Sequence, residues 1–163
     1  MKKSAVIAIL MGSDSDLEVM RETSKVLEEN GVAYEMKILS AHRSPDDVAR
    51  FTKSARGKGF KVIIAGAGGA AHLAGVIASH TTLPVIGVPM ESKELKGLDS
   101  LLSTIQMPSG VPVATVSIGK SGAKNAGILA LEILSLHDVR LEKQLVKFKK
   151  ELVKNIRKKN KNI

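Results

Sequence analysis

The sequence predicts an α/β protein, a three-layer α/β/α domain with an open parallel sheet. Two observations predict it. Strand-sized apolar runs alternate with helical patterns across short connections, which demands parallel pairing through right-handed crossovers. Those runs are also continuously apolar rather than alternating, as befits strands covered on both faces. A chain of 163 residues, 44% hydrophobic and 25% charged, is long and apolar enough to bury one core.

Each element has its own signals. Ala5–Met11 is an apolar, partly β-branched first strand, and a helical pattern follows from Ser15 to Asn30. Gly31 stops that helix as a C-terminal glycine does. Tyr34–Leu39 reads as the second strand, and Pro45-Asp46-Asp47 opens the second helix with proline and acids in its first turn. Lys61–Gly66 is the third strand, followed by small residues and a helix over Ala71–Ser79. Pro84–Val88 is the fourth strand. Leu98–Gln106 is helical and ends before Pro108, whose ring disfavours helix at the preceding residue. Val111–Ile118 is the fifth strand and Ala123–Leu136 a long apolar helix. Residues 1–137 therefore form the α/β domain. Beyond them Leu141, Leu145, Phe148, Leu152 and Ile156 recur at spacings of four, three, four and four, one stripe of an amphipathic helix. Five strands are already covered, so this helix is expected to pack on a neighbouring subunit, with folding back on its own chain the other solution of the same pattern.

The formal charge of +9 is not spread over the molecule. Residues 140–163 hold ten Lys/Arg against Glu142 and Glu151, +8, and the preceding 139 residues hold fifteen against fourteen, +1. The charge belongs to a tail, whose ordinary reading is the solvated face of a terminal helix. Aromatics at 2% and the absence of Trp argue against the stacking platforms of nucleic-acid binders, and no nucleic-acid partner is expected. The absence of cysteine excludes disulfides, thiolate catalysis and Cys-ligated zinc. No apolar run approaches the ~20 residues that cross a bilayer. Met1-Lys2-Lys3 before the apolar Ser4–Met11 imitates a signal peptide, but no small-residue cleavage site follows, and a cytoplasmic protein is expected.

In open parallel sheets ligands bind beyond the carboxyl ends of the strands. Three loops there carry the most unusual residues. After strand one stands Gly12-Ser13-Asp14-Ser15-Asp16. Its hydroxyls and free amides at a helix start make an anion seat, and a carboxylate suits ribose hydroxyls; equally, Ser13 and Ser15 fit plain N-caps, with Asp16 a first-turn acid. After strand two, Ser40-Ala41-His42-Arg43-Ser44-Pro45 sets a titratable base beside a fixed cation that can grip phosphate with two N–H groups, although a His-Arg pair at a helix start is also an ordinary surface feature. After strand three, Ala67-Gly68-Gly69-Ala70-Ala71-His72 is nearly all small residues, which lets backbone approach a flat ligand. Gly66, Gly68 and Ala71, with Glu91 about twenty residues on, loosely match a dinucleotide fingerprint, but that motif normally follows the first strand. His72 sits one turn into the helix, facing ligand or serving as a structural histidine. The four histidines show no paired metal-ligand spacing, and neither a P-loop nor a G-x-S-x-G elbow occurs.

Assembled in order, Met11-Gly12-Ser13-Asp14-Ser15-Asp16, Ser40-Ala41-His42-Arg43, Ile64 to Leu73 and Gln106-Met107-Pro108-Ser109-Gly110-Val111-Pro112 resemble the aminoimidazole ribonucleotide carboxylase family of de novo purine synthesis, with Lys124-Asn125-Ala126 also in register. The resemblance implies a flavodoxin-like fold and a small ribonucleotide substrate. It has two branches: mutases, which move the carboxylate of N5-carboxyaminoimidazole ribonucleotide to the ring carbon, and direct carboxylases. The direct carboxylases typically carry Lys in place of Arg43 and lack the run seen at Gly68–His72, so the chain resembles the mutase branch. By the same resemblance His42 is the proton shuttle. Ser13, Asp16 and Arg43, with Ser15 beside them, correspond to ribose and phosphate positions, and Ser40, Gly68, Ala70, His72 and Leu73 to the imidazole and carboxylate pocket. Asp14 and Ser109 stand where relatives carry basic residues. The resemblance further implies no metal or organic cofactor, carbon dioxide held beneath a cover formed by Gly97–Val111, and a homo-octamer whose C-terminal helices reach over neighbours.

Overall fold

The computed structural model describes residues 4–161; the basic start at Met1-Lys2-Lys3 lies outside them. The elements in order are β1 (Ile7–Met11), a 3-10 turn (Asp14–Asp16), α1 (Leu17–Glu29), β2 (Tyr34–Ile38), α2 (Pro45–Ala55), β3 (Val62–Ala67), α3 (Leu73–His80), β4 (Val85–Pro89), α4 (Leu98–Ile105), β5 (Ala114–Thr115), α5 (Gly119–Ser135) and α6 (Val139–Asn160). The chain divides into two compact units between Ala130 and Leu131.

The first unit is the α/β domain. Its sheet is parallel throughout, in the order β2-β1-β3-β4-β5. The predicted continuous burial holds for β1, β3 and β4, whose side chains are buried on both faces apart from the half-buried Ala67. β2 departs from it. It lies at the sheet edge, none of its residues is fully buried, and its YEMKI sequence mixes charges into the run. Residues of alternate parity separate the two helix layers. Ala8, Leu10, Ile63, Ala65 and Val85 pack with Val48, Phe51 and Ala55 of α2 and Leu73, Ala74 and Ile77 of α3. On the other parity, Ile7, Ile9 and Ile64 are completely buried. There α1 meets α5: Thr23 Oγ1 donates to the Ala123 carbonyl at 2.7 Å, and Val26 packs over Gly127.

Three expected boundaries move. β5 pairs through two residues instead of the eight of Val111–Ile118; Pro112 lacks the N–H that a longer ladder would need. α5 begins at Gly119, so the Lys120-Ser121-Gly122 stretch that looks like a loop is helical. α3 begins at Leu73 and leaves His72 as the residue just before the helix.

The carboxyl ends of the inner strands are level, with Met11 opposite both Ile38 and Gly66 and Ala67 opposite Pro89, so their loops share one rim. One close approach sets the distance of α4 from the sheet. A Cβ on Gly87 would lie 2.5 Å from Thr104 Cγ2, 3.0 Å from Val113 Cγ1 and 3.4 Å from Ala74 Cβ. Those neighbours are branched or short and cannot swing aside. Gly87→Ala is therefore expected to destabilise the domain by about 1–3 kcal/mol, read as a lowered midpoint in urea.

The second unit holds the end of α5 and α6. Asp138 caps α6, accepting from the amides of Arg140 at 2.9 Å and Leu141 at 3.1 Å. Lys149 pairs with Glu132 at 3.3 Å. Of the predicted stripe, Leu141 is buried and Leu145 and Phe148 half-buried, whereas Leu152 and Ile156 are 45% and 57% exposed. Among the described residues no helix is long and apolar enough to cross a membrane.

Candidate active site

A cavity of about 480 Å³ opens at the carboxyl edge of the sheet, within the first unit. The loop after β1 supplies Ser13, Ser15 and Asp16; the loop after β2 supplies Ser40, His42 and Arg43; the loop after β3 supplies Gly68, Ala70 and His72, with Leu73 opening α3. These ten residues, assigned from the sequence to shuttle, phosphate, ribose and ring positions, all line this one cavity, whereas Asp14 does not.

The first two loops are held together by Arg43. Its Nη2 donates to the Gly12 carbonyl at 2.6 Å, and its backbone amide donates to Ser40 Oγ at 3.1 Å. The same hydroxyl lies 3.4 Å from Arg43 Nε. Ser44 stands at the N-cap position of α2 but its side chain turns back: its hydroxyl accepts from the Ser40 amide at 3.1 Å and lies 3.2 Å from the Ser40 carbonyl. The result is a tight Ser40–Ser44 turn that presents His42 and Arg43 at its crest.

In the first loop the capping reading holds for Ser13. Ser13 does cap the 3-10 turn, accepting from the Ser15 amide at 3.4 Å, and the loop still faces the cavity. Asp16 is 9% exposed. Burial pushes its carboxyl above the ordinary value of 3.8, against the opposing pull of the Ser15 hydroxyl, the Ser13 backbone and the Arg43 charge. A buried acid whose folded value is raised costs stability once ionised: the native state holds the proton longer, so stability falls as pH rises through the folded value. Asp16→Asn is thus expected to raise Tm by a few degrees at pH 7. The gain should vanish as pH falls toward 3.8, which thermal melts across that range will show.

His42 and His72 meet across the cavity. His42 Nε2 stands 2.8 Å from His72 Nδ1, and the rings are perpendicular at 85° with centroids 4.9 Å apart. One proton is shared in that contact, so one ring donates while the other accepts. The later start of α3 makes this possible, because His72 precedes the helix and its ring turns toward the second loop.

Sequence reasoning missed the fourth wall. Met90, Glu91, Ser92, Lys93 and Glu94, with Asp99 of α4, complete the lining. The signal was available: the loop after β4 must reach the same rim, and Glu91 had entered only as a fingerprint acid. Of the expected Gly97–Val111 cover, Asp99 lines the cavity. In this chain Ser109 and its neighbours from Gln106 to Val111 do not line the cavity, and Met107 instead lies near Gly75 of α3. Among the described residues no group of three or more His, Asp or Glu is placed to hold a metal ion.

Comparison with known proteins adds a family and relatives. The family model described as AIR carboxylase matches residues 6–155. The chain is 54% identical over 158 residues to the N5-carboxyaminoimidazole ribonucleotide mutase of Pyrococcus horikoshii, covering 97% of this chain and 88% of that one. To the mutase of Bacillus subtilis it is 59% identical, covering 86% of each. Among solved structures, Treponema denticola PurE superposes with a TM-score of 0.87 at 28% identity over 96% of this chain and 97% of that one.

Proposed function

The chain belongs to the AIR carboxylase family, and we propose that it acts as an N5-carboxyaminoimidazole ribonucleotide mutase in purine biosynthesis. The observation that carries the mechanism is the placement of His42, beside the Arg43 cation and 2.8 Å from His72, in a cavity walled by small residues.

The reaction is an isomerisation and needs no net proton. The bond between the exocyclic nitrogen and its carboxylate breaks, the electron pair stays on nitrogen, and nitrogen takes a proton from His42. Carbon dioxide remains in the cavity. The electron-rich ring carbon then attacks it, forming the new carbon–carbon bond, and the proton on that ring carbon returns to His42. One imidazole serves both transfers because the nitrogen that gives a proton can take one back. Arg43 grips the phosphate, and Ser13, Ser15 and Asp16 hold phosphate and ribose. Ser40, Gly68, Ala70, His72 and Leu73 surround the imidazole ring and the migrating carboxylate. Enclosure belongs to catalysis, since carbon dioxide lost to solvent ends the cycle.

Arg43 and the Gly68–His72 run favour the mutase over the direct carboxylase of the same family. The two separate cleanly by assay. The mutase converts N5-carboxyaminoimidazole ribonucleotide to its ring-carboxylated isomer; a direct carboxylase forms that product only from aminoimidazole ribonucleotide and carbon dioxide. Conversion confined to the second pair would overturn the reading.

The functional unit we infer is a cytoplasmic homo-octamer. The bare end of the α6 stripe, Leu152 and Ile156, supports it, since a neighbouring subunit would cover those side chains.

A further inference from the structure

We propose that Ser100 and Ser103 of α4 are positioning residues that hold the Gly68–Ala71 loop shut against loss of carbon dioxide. The inference rests on the mutase reading above. Neither serine was singled out by any motif, and neither lines the cavity. Ser100 is completely buried, and its Oγ accepts from the Gly69 amide at 2.9 Å. One turn on, Ser103 Oγ accepts from the Ala71 amide at 3.0 Å and donates to the Asp99 carbonyl at 2.7 Å, with the Gly69 carbonyl at 3.2 Å as its alternative acceptor.

The two hydroxyls therefore take alternate amides of the loop. The intervening amides, those of Gly68 and Ala70, donate to no other group among the described residues, and both residues line the cavity. Gly69 holds a left-handed φ of 63° with open space where a side chain would stand, so packing at that residue does little to keep the loop in place. The serine hydrogen bonds hold the loop there, beside the burial of Ala71 at its end, which is 1% exposed. The same turn of α4 also anchors the fourth wall: Ser92 Oγ donates to Asp99 Oδ1 at 2.7 Å and accepts from the Gly97 amide at 3.0 Å. One helical turn thus ties two walls of the cavity; Asp99 lines it, while Ser100 and Ser103 stand behind it.

A tie of this kind acts on the fate of the intermediate more than on binding. Without it the small-residue wall can open during the interval in which carbon dioxide is free. The test runs unlabelled N5-carboxyaminoimidazole ribonucleotide in 13C-bicarbonate buffer with carbonic anhydrase, and reads label in the product by mass spectrometry at early turnover. For Ser100→Ala and Ser103→Ala the expected result is a several-fold rise in labelled product and in released aminoimidazole ribonucleotide. With it, kcat should fall about tenfold at a KM within about twofold of wild type. Ser103→Thr keeps the hydroxyl at a half-buried position and should restore unlabelled turnover. Variants whose label matches wild type, whatever their kcat, would overturn the inference while leaving the activity intact. A wild type that does not isomerise the substrate would overturn the functional reading along with it.

Discussion

His42→Asn is expected to lower kcat by about 10³–10⁴-fold and to leave the protein folded. The size follows from the double duty of one group. In the proposed mechanism both proton transfers pass through the same ring, and an amide cannot take or give a proton near neutral pH. The expectation of a standing fold follows from position: His42 is exposed at the crest of the Ser40–Ser44 turn, and that turn is tied by Ser40, Ser44 and Arg43, none of which needs the imidazole. Asn also retains a polar atom to face His72. Steady-state kinetics beside circular dichroism and thermal melting decide the matter. A folded variant with wild-type turnover would remove His42 from the chemistry.

Arg43→Lys is expected to raise KM by about 10–100-fold while kcat falls far less. A charge-assisted hydrogen bond contributes about 1.5–3 kcal/mol, and lysine replaces a planar fork with a single ammonium. Arg43 has a second task, however. Its Nη2 is spent on the Gly12 carbonyl at 2.6 Å, which leaves Nη1 as the guanidinium nitrogen without a protein partner among the described residues, and ties the position of the first loop to the same side chain. The loss should therefore exceed that of one phosphate contact alone. Isothermal titration with aminoimidazole ribonucleotide, which binds without reacting when carbon dioxide is excluded, separates affinity from turnover. Unchanged affinity would place the phosphate elsewhere.

Much of this architecture was legible because the strongest physical signals are local. β1, β3 and β4 are buried on both faces, and such strands must be apolar at every position, which any reading of the chain detects. The rim loops stood out because glycine, serine and a His-Arg pair cannot be explained by core packing. What escaped depends on distance in sequence. Ser100 and Ser103 look like ordinary helix serines, and their partners lie 31 and 32 residues away in a loop. The contact between His42 and His72 spans 30 residues and depends on α3 starting two residues later than its apolar pattern suggests. The length of β5 was overdrawn because Val111–Ile118 is rich in β-branched residues, and side-chain type does not report where the ladder hydrogen bonds stop. The Gln106–Pro112 motif carries the family resemblance yet lies away from the cavity of its own chain, something no spacing within the sequence encodes.

The two-residue pairing of β5 has a consequence for how the domain breathes. β1 shares five paired positions with each neighbour, whereas β5 is joined to the sheet through Ile86↔Ala114 and Gly87↔Thr115 alone, with the Val116 amide reaching the Gly87 carbonyl at 3.0 Å. Segments secured by so few ladder bonds open in partial unfolding events well below the free energy of global denaturation. The β5 edge is thus the seam of the sheet, and the amides of Thr115 and Val116 should exchange with solvent while those of β1 and β3 stay protected. The cavity-lining loops carried on β1, β2 and β3 sit on the side that such openings spare.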